Sequence, residues 1–233
     1  MTEHFGWNRR KILIGASALG LIGLLPAQAS AQGIGKGLGL SSLLGKATNS
    51  ALDQLSQPGA FYNDKDIRIG LPIIGKAGGG ILGSILSAGQ KLGVLDGVTR
   101  KINDAAGIAA GEAKPIFRDA IDNLSFNDAP GIISENDGGT RYLRESSNDT
   151  LHGKLEPLVD SALDDLGVYG EFESLSSKHS FISDAGLNRQ SINKSVTDQG
   201  LDGIFSYIAN EERTFRKNPL GNLGGALGDL LGN

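Results

Sequence analysis

Between Leu92 and Pro219 the apolar residues recur at steps of three and four, and the strand, turn, strand rhythm of a β fold is missing. Leu95, Val98, Ile102 and Ala105 form one such stripe. Ile116, Phe117, Ala120, Ile121 and Leu124 form the next, with Pro115 ahead of them where a first helical turn tolerates it. A third run, from about Gly139 to Leu166, carries Tyr142, Leu143, Leu151, Leu155, Leu158, Val159, Ala162 and Leu166. Pro157 is expected to kink or divide it. The last helix spans about Thr197 to Lys217 and closes at Asn218-Pro219. It turns Leu201, Ile204, Phe205, Ile208 and Phe215 inward and Glu211, Glu212, Arg213, Arg216 and Lys217 outward.

Upstream, residues 41 to 56 place Leu43, Leu44, Ala47, Ala51 and Leu55 on one side of a helix that Gln57-Pro58-Gly59 stops. Residues 61 to 75 read as extended chain, because Ile67, Ile69 and Leu71 alternate with polar or small neighbours. One such run cannot make a sheet. The predicted fold class is all-α: an irregular single-domain helical bundle with a short extended segment near 61–75 and glycine-rich flexible ends. A chain of 233 residues, 39% of them hydrophobic, is long enough to bury one sizeable core.

The first 31 residues read as a cleavable signal peptide. Arg9, Arg10 and Lys11 precede the apolar run Ile12 to Leu25, whose 14 residues fall short of the roughly 20 needed to span a bilayer. Small residues then lead to Ala29-Ser30-Ala31, and cleavage is expected after Ala31. The order Asn8-Arg9-Arg10-Lys11-Ile12-Leu13 resembles a twin-arginine signal, which carries folded proteins; a general secretory signal is the alternative. Either route predicts a periplasmic protein. The remaining segments are a glycine-rich linker at 32–40, a helical domain at 41–219 and a glycine-rich tail at 220–233. Losing Arg9, Arg10, Lys11 and Glu3 moves the formal charge from −4 to −6, which opposes binding to a phosphate backbone. The chain contains no cysteine, so neither a disulfide nor a lipid on a thiol is available.

Glycine supplies 35 of the 233 residues, and this abundance generates motifs by chance. Gly70, Gly75 and Lys76 fit a phosphate-loop pattern, and Gly78, Gly80 and Gly83 fit a dinucleotide fingerprint. Pro72 removes a backbone donor and Ala77 stands where a hydroxyl would hold magnesium, so no nucleotide and no cofactor is expected. Three tracts mix glycine with leucine: GIGKGLGLSSLLGK, KAGGGILGSILSAG and GNLGGALGDLLGN. Glycines four apart let helices approach closely in lipid, yet glycine lowers helix stability by about 1 kcal/mol each in water. Mobile ends and a loose connector are the simpler expectation.

Few residues suggest chemistry. His152 and Glu156 are the weak metal candidates, four apart on one helix and continued by Asp160 and Asp164. The set fans around the helix and Pro157 interrupts its geometry, so a solvated acidic face is the simpler expectation. Ser177 and Ser180 flank His179 without a nucleophile elbow and read as a polar loop. Glu211 and Glu212 sit within a mixture of charges typical of surface pairing. Arg141 and Arg144 flank Tyr142, an arrangement able to meet an anion or an acidic partner, with surface salt bridges as the simpler expectation.

Several stretches resemble an exported bacterial family known as domain of unknown function 4197: LSQPGAFYND, IRIGLP, AKPIFRDAI, RYLRESSNDTLHGKLEPLV and LDGIFSYIANEERTFRKNP, in that order. The resemblance implies a helical exported domain and carries no catalytic residue. Gly70-Leu71-Pro72 falls where that family has an extended segment, not a nucleotide loop. The functional expectation is a non-catalytic envelope protein that binds a partner protein, an envelope polymer or, weakly, a membrane surface, with the glycine-rich ends as its contacts. An exported hydrolase or metal-dependent enzyme is the alternative.

Overall fold

The computed structural model describes residues 28–71, 95–125, 135–178 and 188–218. Among these residues the chain forms seven helices and no strand. They are α1 (Gln28–Leu55), α2 (Ala60–Asn63), α3 (Asp96–Glu112), α4 (Lys114–Asp122), α5 (Gly138–Asp165), α6 (Val168–Lys178) and α7 (Arg189–Lys217). The fold is all-α, as the apolar spacing predicts. Helix α7 is the spine: α1 and α5 pack along it, α3 packs on α5, and α2, α4 and α6 fill the remaining sides.

Each predicted stripe supplies the core. Leu44, Leu52 and Leu55 of α1, Ile102 of α3, Phe117 and Ile121 of α4, and Leu143, Leu151 and Leu163 of α5 are all essentially inaccessible. Phe117 meets Phe205 of α7 edge to face, with centroids 6.0 Å apart and rings inclined at 70°. Such a pair adds about 1 kcal/mol beyond the area it buries.

Five details differ from the sequence expectations, each for a packing reason. Helix α1 begins at Gln28, so the backbone of 32–40, expected as a linker, is helical. Leu40 and Leu44 are buried in line with Ala47 and Ala51, and their burial offsets the poor helix propensity of the glycines. Helix α5 runs through Pro157 without dividing. Proline removes the N–H that would bond to Gly153, but buried Leu151, Leu155 and Val159 anchor both sides of the defect. Helix α7 starts eight residues before Thr197, at Arg189, because Asn188 and Ser191 form a reciprocal capping box there. Ile192 and Val196, buried in that added stretch, extend the inward stripe. The segment expected to be extended from 61 begins instead with the single turn α2, entered through Gly59 at φ 74°. That left-handed value favours glycine.

The fifth difference is Glu212, expected on the surface and fully buried. Its carboxylate accepts from the Gly139 N–H at 3.0 Å and from the Thr140 N–H at 2.7 Å, two amides in the first turn of α5. The Thr140 hydroxyl donates to it at 2.6 Å, and Arg216 Nη2 and Nε donate at 2.6 and 2.9 Å. Asp137, the residue at the cap position of α5, makes no side-chain cap bond. A carboxylate from another helix therefore satisfies the helix end and sits at its positive pole.

Residues 1–27, 76–89 and 219–233 lie outside the described residues, and with them Arg9, Arg10, the middle glycine tract and the C-terminal tail. Ala31 falls within α1. No described helix is long and apolar enough to cross a membrane.

Candidate functional site

Helices α4 and α5 lie side by side and enclose a groove of about 320 Å³. Two stripes with a period of four build it. On α5 the stripe is Tyr142, Ser146, Thr150 and Lys154, with Ser147 and Leu151 beside it. On the α4 side Ile116, Ala120 and Leu124 form the apolar floor, while Asp119 and Asn123 stand at the rim. Phe117 and Ile121, one position further round α4, are buried in the core and fix which face of this short helix looks into the groove.

Both ends of the groove are closed by side-chain bonds. At one end Lys154 Nζ lies 2.6 Å from Asp119 Oδ2, and the Asn123 amide donates to Asp119 Oδ1 at 3.2 Å. The ammonium of Lys154 holds the Asp119 carboxyl below the ordinary aspartate range, with Asn123 acting in the same direction. At the other end the Tyr142 hydroxyl donates to the Ser125 carbonyl at 2.7 Å. Lys154 lies twelve helical steps beyond Tyr142, so the ends stand about 18 Å apart along α5. Between them Ser146 and Thr150 are exposed and Ser147 is half-buried.

The sequence candidates take other places. His152 and Glu156 do not converge. His152 turns to α7, where Nε2 lies 2.9 Å from Asp198 Oδ1 but off the line of a well-formed hydrogen bond. Asp160 and Asp164 instead receive Arg189, with Nη2 to Asp160 at 2.6 Å and Nη1 to Asp164 at 3.1 Å. The guanidinium, and after it the Tyr169 hydroxyl, hold the Asp160 carboxyl below its usual range against the opposing effect of burial. Among the described residues no three histidine or carboxylate side chains gather where a metal ion would sit.

Arg141 pairs with Glu135 at 2.5 Å, and Arg144 pairs with Asp202 while its guanidinium covers the Phe205 ring at 5.3 Å. Tyr142, between them in sequence, faces the groove. Glu211 accepts from Gln54 of α1 at 2.9 Å. Ser177 ends in α6 with its hydroxyl bonded to the Ser174 carbonyl at 2.8 Å, and His179 and Ser180 lie outside the described residues. Of the phosphate-loop pattern only Gly70 is described in this structure, and its N–H is taken by Gln199 at 3.0 Å. The hydroxyl row of the groove escaped sequence reasoning because serine and threonine at helical spacing carry no motif.

The family described as "protein of unknown function (DUF4197)" matches residues 30–229. No curated protein and no solved structure matches the chain.

Proposed function

The chain belongs to the DUF4197 family, proteins of unknown function, and from that premise we propose that it is an exported envelope protein acting as a non-catalytic helical binding module, with the α4–α5 groove as its contact surface. One observation carries this reading: the groove gathers hydroxyl, amide and apolar groups, whereas the titratable candidates serve as ties between helices. Glu212 caps α5 from α7, Arg189 ties the start of α7 to α5, and His152 faces Asp198 across the same pair. Groups committed to such ties are poorly placed to exchange protons with a substrate. Export is supported by the leader around Arg9 and Arg10 and by the small residues ending at Ala31.

The test is co-sedimentation of the purified mature chain with isolated bacterial envelopes, compared with an Ala120→Trp variant that fills the groove. Binding by the parent and its loss in a variant of unchanged circular dichroism support the module. Equal binding by both chains overturns the groove as contact surface. Release of soluble fragments from the envelopes by the parent alone establishes the hydrolase alternative.

A further inference from the structure

The α4–α5 groove has the chemistry of a sugar-binding cleft, and we propose that its ligand is a neutral oligosaccharide. The inference rests on the reading of the groove as a binding surface and names what it binds. Its ions are already paired. Asp119 and Lys154 neutralise one another at 2.6 Å, so the groove presents no net charge to draw in a charged ligand. The pair still offers a carboxylate as acceptor and an ammonium as donor, and Asn123 adds an amide beside them.

Hydroxyls continue this wall. Ser146, Ser147 and Thr150 each present a side-chain hydroxyl that can donate and accept. A sugar edge presents the same two-way chemistry. An extended peptide is a poorer match, because its alternating backbone groups are best met by a strand edge, and the described residues contain no strand. Opposite the hydroxyls lies the apolar floor of Ile116, Ala120 and Leu124, with the Tyr142 ring at the far end. A pyranose is polar at its rim and hydrocarbon on its faces, so it can satisfy both sides of such a cleft together.

Amide shifts of the ¹⁵N-labelled mature chain test the proposal. The probes are cellotetraose and the N-acetylglucosamine tetramer as neutral saccharides, tetragalacturonate as a charged one, and an uncharged tetrapeptide. The expected result is a saturable shift of Asn123, Ser146, Ser147 and Thr150 with a neutral saccharide. Ala120→Trp should abolish it, and Asp119→Asn should weaken it about tenfold, the loss of one hydrogen bond to a charged group. No groove shift with either neutral saccharide, or tighter binding of tetragalacturonate or the peptide, overturns the proposal. If Ala120→Trp still blocks envelope binding in that case, the binding module stands and only its ligand class falls.

Discussion

The side-chain amide of Asn103 binds both ends of the Ile69 residue: Asn103 Oδ1 accepts the Ile69 N–H at 2.8 Å, and Asn103 Nδ2 donates to the Ile69 carbonyl at 2.9 Å. Gln199 does the same for Gly70 from the opposite side, at 3.0 and 3.2 Å. Successive residues of an extended chain point their backbone groups to opposite sides. Two helices, α3 and α7, thus stand in for the neighbouring strands of a sheet. This is how an all-helical domain accommodates an I-R-I-G segment whose isoleucines are buried.

Asn103→Ala removes a buried side chain and leaves the N–H and carbonyl of Ile69, itself fully buried, without partners. At about 1–3 kcal/mol for each unsatisfied group, the expected loss is about 3 kcal/mol. Gln199→Ala should lose about 1 kcal/mol or less, because exposed Gly70 can turn to water. Urea denaturation of the two variants checks the order; equal losses would reject the clamp.

Glu212→Ala strips one helix end and one guanidinium of their shared partner. Arg216 is only 18% exposed at its side chain, so it stays largely buried without the carboxylate of Glu212. Breaking a buried pair in this way is expected to destabilise by about 3–5 kcal/mol. Thr140→Val removes a single donor and should lose about 1 kcal/mol. A loss below 1 kcal/mol in Glu212→Ala, read from the same denaturation curves, would show that water replaces the carboxylate.

The helices were legible because burial repeats at helical spacing, and the same register held information that charge concealed. Leu201, Ile204, Phe205, Ile208 and Phe215 define the inward stripe of α7, and residue 212 lies on it, four after Ile208. An acidic residue on an apolar stripe signals a buried partner, here the start of α5. The groove was less legible. Its α5 wall lies within RYLRESSNDTLHGKLEPLV, but the floor comes from α4, and only tertiary packing brings Asp119 to Lys154. His152 and Glu156 share a helix as their spacing implies, yet α7 decides where His152 turns.

Two glycines in long helices should respond to alanine with opposite signs. At Gly203 of α7 a Cβ would stand 2.9 Å from Phe61 Cε1 and 3.3 Å from Ile67 Cβ, both in the core. Overpacking of about 1–3 kcal/mol there outweighs a helix-propensity gain of about 1 kcal/mol. At Gly153 of α5 a Cβ meets nothing within 4 Å. Gly153→Ala should therefore raise the thermal midpoint and Gly203→Ala should lower it; a rise in both would mean that α2 yields freely.

Alkaline pH should destabilise the fold through Tyr207. Its hydroxyl donates to Asp64 Oδ2 at 2.8 Å, and burial, then that bond and the aspartate charge, push its pKa up to about 12 from 10.0. The folded chain retains a proton that the unfolded chain releases first. Stability from this group is thus complete below pH 10 and drains away as pH rises towards about 12. Tyr169, buried and bonded to Asp160, and Tyr62, bonded to Asp96, are shifted in the same direction. Absorbance of tyrosinate should consequently rise at higher pH in the native chain than in urea. Tyr207→Phe loses the Asp64 bond, about 1 kcal/mol at pH 7, but has no proton to release. Its urea midpoint should lie below that of the parent at pH 7 and approach it at pH 11. Parallel curves at the two pH values would mean that Tyr207 ionises equally easily in both states, which would overturn the coupling of its half-buried bond with Asp64 to stability.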